Sequence, residues 1–138
     1  MEIFIPMTKI LYNSSIVSLS YDKNNQLIEM IWKQNTDSKE YRKMFGVVID
    51  FSENNKIRYV LSDMRNEGLV RTEDFRWLDK EVLSRAIEHK LERIALVTDE
   101  KIFSGVYSDV VKKKLEKSPV QVQVFTDVAS ARGWLLSE

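Results

Sequence analysis

The chain has 138 residues, 43% hydrophobic and 30% charged, with 21 Lys+Arg balanced by 21 Asp+Glu and no cysteine. That length supports one domain with a hydrophobic core of its own. A nucleic-acid binder normally carries a basic surplus, which this balance lacks. The missing cysteines exclude disulfides, thiol catalysis and thiolate metal sites, and they suit a reducing cytoplasm.

The opening "MEIFIPMTKIL" is apolar but short, with Glu2 and Pro6 inside it and no basic leader or small-residue cleavage site. It reads as neither a signal peptide nor a membrane span, and no later run approaches the roughly 20 apolar residues a spanning helix needs. Residues 16–34 read as a hairpin. "SIVSLSY" alternates apolar and polar residues, "DKNN" supplies turn chemistry, and "QLIEMIWK" resumes a strand.

A helix follows from "TDSKE", capped by Thr36 or Asp37, with Asp37 and Glu40 at capping-box spacing. Tyr41, Met44, Phe45, Val48 and Ile49 form one apolar stripe along it, and "SENN" at 52–55 ends it. "IRYVLS" (57–62) reads as a strand covered on both faces. After a charged junction, Thr72 is the expected N-cap of a helix whose Glu73 and Asp74 suit the positive end of its dipole. Phe75, Leu78, Val82 and Ala86 are its buried stripe, with Leu83 and Ile87 in support.

"ERIALVT" (92–98) reads as a second buried strand. A helix is expected over 108–117, with Val110, Val111 and Leu115 inward and Pro119 stopping it. "VQVQVF" (120–125) alternates strictly, as a strand nearer an edge does. Asp127 then caps a short helix through Ala131, Trp134 and Leu135. Strands alternating with helices imply βαβ units and a parallel sheet, preceded here by an antiparallel hairpin. No internal repeat, low-complexity tract or linker interrupts the pattern, so 1–138 is expected to be a single domain.

In such sheets ligands bind beyond the carboxyl ends of the strands. Asp63 and Arg65 follow the first buried strand, Thr98, Asp99 and Glu100 the second, and Thr126 and Asp127 the third. The helix starting near Thr72 points its amides toward the same edge, a possible anion seat. The bland alternative is that Asp127 only caps its helix and Arg65 only pairs with Asp63 or Asp99. Trp77 lies off its helix's main stripe, so it either walls a pocket over that edge, joins an interface or packs in the core. In "KIFSGVYS" (101–108), Gly105 and the apolar Phe103 and Tyr107 have the composition of a flap, or of packing for the next helix.

His89 is the only histidine and falls at the C-terminus of its helix, at the opposite edge from Asp63 and Asp99. A donor there suits the helix dipole, and a Ser-His-Asp triad is excluded in practice. The spacings match no P-loop, dinucleotide fingerprint or calcium loop, so no cofactor or metal is expected. "VKKKLEK" (111–117) is a solvated helix end, not a nucleic-acid interface.

The wording of several elements resembles a known family. "LSDMR", "EDFRWL", "LERIALVTDEKIF" and "VQVFTDVASARGWL" are similar to the stand-alone bacterial SpoIIAA-like proteins, relatives of the STAS domain also described as STAS/SEC14-like. The resemblance runs from about Ile10 to Leu136. It implies a βαβαβα domain with a mixed sheet, helices mainly on one side, and a tendency to self-associate as a homodimer. Signalling STAS proteins carry a phosphorylatable serine at the turn where this chain has "LVRTED", with Thr72 the nearest hydroxyl, so the phospho-switch is not carried over. The SEC14 connection implies a small apolar cavity between sheet and helices.

The expected function is therefore a non-enzymatic, cytoplasmic binding or regulatory module that contacts a protein partner or itself, with no catalytic residue. Asp63, Arg65, Trp77, Asp99 and Phe103 are the expected contact residues. The alternative is a binder of a small anionic or amphipathic, lipid-like ligand, held by Arg65 and helix amides under the 101–107 segment. A third reading is an acid–base enzyme using Asp63 and Asp99.

Overall fold

The structure is a computed structural model that describes residues 8–99 and 113–137. The expected opening of the 108–117 helix, with Val110 and Val111, and the whole 101–107 segment with Phe103 lie outside the described residues. Six strands form one sheet in the order in which they occur: β1 (Thr8–Asn13), β2 (Val17–Asp22), β3 (Leu27–Trp32), β4 (Tyr59–Asp63), β5 (Arg93–Val97) and β6 (Gln121–Phe125). The first three pair antiparallel and the last four pair parallel, β3 belonging to both halves.

The mixed sheet and its N-terminal hairpin follow the sequence pattern, but β1 was not foreseen. Its register slips between Ile10 and Tyr12, and Ile10 is 68% exposed. A broken, exposed edge strand leaves little alternation to read. β6 forms the opposite edge, as its alternation predicted.

One face of the sheet carries the larger core. Val17, Leu19, Ile28, Met30, Ile94 and Leu96 pack there against two helices that run side by side. The first is α1 (Ser38–Ser52), capped by Asp37, whose carboxylate accepts from the Glu40 amide at 2.8 Å. The capping box is only half made, because the Glu40 carboxylate turns away to accept from Tyr12 (2.7 Å) and Ser14 (3.1 Å). The second begins as α2 (Thr72–Trp77), continues through a π-helical segment (Leu78–Leu83) and ends as α3 (Ser84–Glu88).

Thr72 is not its N-cap. Arg71 holds that place without a side-chain bond, and the Asp74 and Phe75 amides bond to its carbonyl. The π segment was also unforeseen. Its wider turn lets the Ser84 hydroxyl reach the Asp79 carbonyl five residues back, at 3.3 Å. Residues 113–116 are helical, and Leu115 is buried in the same core. Lys114 joins them to the π segment through Asp79 (3.5 Å) and to the start of α3 through the Ser84 hydroxyl (3.0 Å).

On the other face, α4 (Val128–Leu135) covers Tyr59, Leu61, Ala95 and Val97 with Ala131 and Leu135. Asp127 caps it, accepting from the Ser130 amide at 2.7 Å. Among the described residues no helix is long and apolar enough to cross a membrane.

Candidate functional site

Both α1 and the α2–α3 helix start beyond the carboxyl ends of strands and finish near the strands' amino ends, so the two helices are parallel neighbours. Their starts are fastened together. Asp74, only 2% exposed, accepts from the Ser38 hydroxyl (2.5 Å) and from Arg42 Nε (2.9 Å). The same guanidinium lies 5.3 Å from the centre of the Trp77 ring. Charge-assisted bonds of this kind are among the stronger polar contacts a protein makes, and the cation–ring contact adds to them.

Asp63 and Arg65 also lie at this edge, and they satisfy each other. Arg65 Nε and an Nη approach the two Asp63 oxygens at 2.9 and 2.7 Å, a bidentate pair. The hydrogen bonds Arg65 donates to Asp63, and then the charge of that carboxylate, push the Arg65 pKa up. The Arg65 charge also lowers the Asp127 pKa, behind the larger effect of the Ser130 hydrogen bonds. Asp63, Arg65 and Asp127 therefore do gather at one edge. Asp99 is exposed at the end of β5, where the Thr98 hydroxyl faces its carbonyl at 3.4 Å. Trp77 is half-buried in the main core with Arg42 of α1 as its cation partner.

The loop between β4 and α2 holds a residue whose role the sequence did not reveal. Glu67 is 4% exposed, and no hydrogen bond or ion pair reaches its carboxyl among the described residues. Burial alone pushes its pKa from the usual 4.5 to about 8. Its carbonyl accepts from the Thr36 amide at 2.8 Å, tying the loop to the start of α1. Gly68 follows with φ +75°, a conformation that favours glycine, and a Cβ there would stand 2.7 Å from Asn35 Oδ1 and displace that side chain. Leu69, next along, is 95% exposed.

At their other ends the helices part over the sheet, leaving a cleft of about 400 Å³. Its floor is Met30, Val60, Ser62, Ile94 and Leu96 from the strands. Phe45, Val48 and Ile49 form one wall, and Leu78, Val82, Leu83 and Ala86 form the other. Small-molecule sites span roughly 300–1,000 Å³ and are mostly apolar with a few placed polar groups. The exposed lining residues are Glu53, Asn54, Asn55, Lys56, Arg85 and His89, and they mark the mouth. These residues precede β4 and β5, so the mouth lies at the amino edge of the parallel strands, opposite Asp63 and Asp99.

Asp63, Arg65, Trp77 and Asp99 do not line this cleft, and Phe103 lies outside the described residues. The SEC14 connection implied a small apolar cavity between sheet and helices without naming its lining, and the α1 stripe through Val48 and Ile49, facing a helix whose stripe ends on the small Ala86, was the local signal for it. A stripe pattern gives the faces that meet but not the distance between two helices. Among the described residues no cluster of His, Asp or Glu is arranged to hold a metal.

A mixed sheet with a helix pair over an apolar cleft on one face and a further helix on the other defines an α/β domain. The family model described as SpoIIAA-like matches residues 27–136, and the chain belongs to that family. The fold is shared with the crystal structure of an uncharacterized DUF3478-family protein with a SpoIIAA-like fold from Shewanella loihica PV-4. That protein is 15% identical, with a TM-score of 0.56 over 98% of each chain. No curated protein matches the chain significantly.

Proposed function

We propose that the protein is a non-enzymatic binding module that holds a small molecule with a substantial apolar part in the cleft between α1, the α2–α3 helix and the sheet. The observation that carries this reading is the cleft itself, about 400 Å³ with apolar walls from both helices and a floor from three strands. An acid–base role for Asp63 and Asp99 has less support, because Arg65 already occupies both oxygens of Asp63. The proposed compartment is the cytoplasm, which suits a chain without cysteine.

Native mass spectrometry and thermal shift with a panel of apolar and amphipathic metabolites test the reading. At least one compound should raise the melting temperature, and the shift should disappear in Ala86→Trp, which fills the cleft. A panel that leaves the wild-type melting temperature unchanged counts against it.

A second reading, contact with a protein partner or a second copy through the carboxyl edge, is favoured by the 95% exposure of Leu69 beside Arg65 and Arg71. Light scattering of the purified protein tests self-association. A mass that stays monomeric across micromolar concentrations removes the homodimer.

A further inference from the structure

We infer that the cleft takes a free single-chain carboxylate, its chain inward between the helices and its head group at Lys56, Arg85 and His89. This inference rests on the cleft being a ligand site and assigns what occupies it. The charged lining residues are Lys56 and Arg85 against the single acid Glu53, with the His89 imidazole beside them, and all four stand at the mouth while the interior is apolar. A ligand matched to that pattern is apolar along its length and anionic at one end.

The helix dipole offers a competing account of the cations, since helix C-termini favour positive charge. It explains Lys56, which crosses the mouth to donate to the His89 carbonyl at 2.9 Å. Three terminal carbonyls of α3 are occupied by backbone amides: His89 bonds to Arg85, Lys90 to Ile87 and Leu91 to Ala86. Arg85 and the His89 ring make no hydrogen bond or ion pair among the described residues, in contrast to Arg42, Arg58, Arg65 and Arg132, which all pair with carboxylates. Among the described residues Arg85 is thus an uncommitted guanidinium on the rim of an apolar cleft. Lys56 adds to it, because an ammonium has three protons and the His89 carbonyl uses one. A carboxylate seated between them keeps access to water on its outer side, so it is not forced to give up its hydration.

The test is calorimetric titration of the full chain with dodecanoate, dodecanol and dodecyltrimethylammonium below their micelle concentrations, with acetate as the head group alone. Dodecanoate should bind about tenfold tighter than dodecanol, the size of one to two charge-assisted contacts at an exposed rim. The cationic amphiphile should bind more weakly than either, and acetate should not bind. Arg85→Ala combined with His89→Ala should remove most of the preference of dodecanoate over dodecanol, the remainder being held by Lys56, and leave dodecanol unchanged. Both residues are exposed, so the double variant should keep the wild-type melting temperature.

Equal binding of dodecanoate and dodecanol, or an unchanged dodecanoate affinity in the double variant, overturns the head-group assignment while leaving the cleft as a ligand site. Failure of every amphiphile to bind overturns both. Phosphatidylglycerol vesicles present anionic head groups on anchored chains. Sedimentation of the protein with them, in preference to phosphatidylcholine vesicles, overturns the free acid as occupant and puts a membrane surface in its place.

Discussion

At the starts of α1 and α2 the buried Asp74 carboxylate gathers Ser38 and Arg42, and Arg42 lies against Trp77. At their far ends, among the described residues, the hydrogen bond across the gap is from a lysine to a carbonyl, Lys56 to His89, over an apolar cleft of about 400 Å³. The same two helices thus form a closed end and an open end. Polar groups at the closed end find one another. At the open end the cations face outward and the apolar side chains lack neighbours on one side. A pair of helices fixed at one end can vary its spacing at the other with little disturbance to the sheet.

The difference predicts unequal costs for shortening side chains on the same helix. Met44 of α1 is fully buried, whereas Val48, one turn on, is half-buried and lines the cleft. Met44→Ala should cost about 3 kcal/mol, the transfer of its side chain plus the cavity left behind. Val48→Ala should cost about 1 kcal/mol, because less surface is lost and its space is already open. Urea denaturation monitored by circular dichroism measures both. Beyond the smaller side chain, near-equal costs would mean that the cleft is filled in solution and that the helices pack as closely at the open end as at the closed one.

The fastening itself should be weaker than the core around it. Asp74→Ala removes an acceptor from both Ser38 and Arg42, and about 2 kcal/mol is expected from two bonds to a charged group. The loss is limited because the Arg42 side chain is 46% exposed and regains water once the carboxylate is gone. Loosening this end should also lower ligand affinity at the open end, since both walls then lose their fixed separation. A variant with unchanged stability would show that apolar packing alone holds the helices.

Much of this frame could be read from residues in order. The Tyr41–Ile49 stripe, a cap at Thr36 or Asp37, the Asp127 cap and the alternation of 120–125 are local signals; Asp37 takes the first cap, and the strand runs Gln121–Phe125. The site was less legible because it depends on what lies between elements. Asp63 and Arg65 met as their spacing allowed, yet they neutralise each other. Arg85 and His89 belong to one helix end, and Lys56 comes from a different connection. Only the sheet register brings them around one opening. Asp74 looked like a dipole residue, because its partners are supplied by a helix more than thirty positions earlier.

The finest distinction between the ends concerns a charge that the closed end does not tolerate. Glu67 is buried with a pKa raised to about 8 against 4.5 in an ordinary setting, so near neutrality the folded form carries a proton that the unfolded chain has released. Below pH 4.5 both forms are protonated and the residue costs nothing. Between pH 4.5 and about 8 the folded state binds more protons than the unfolded one, so stability falls as pH rises, and it levels off above that window. Opening of the loop beside the exposed Leu69 would relieve part of the penalty, which leaves an expected loss on the order of 1 kcal/mol rather than the full value of the shift. Glu67→Gln keeps the shape without the titration. Its urea midpoint should match wild type at pH 4.5 and exceed it at pH 8. Parallel profiles for the two proteins would mean that the carboxyl is solvated or paired in solution, and that the closed end is not sealed around it.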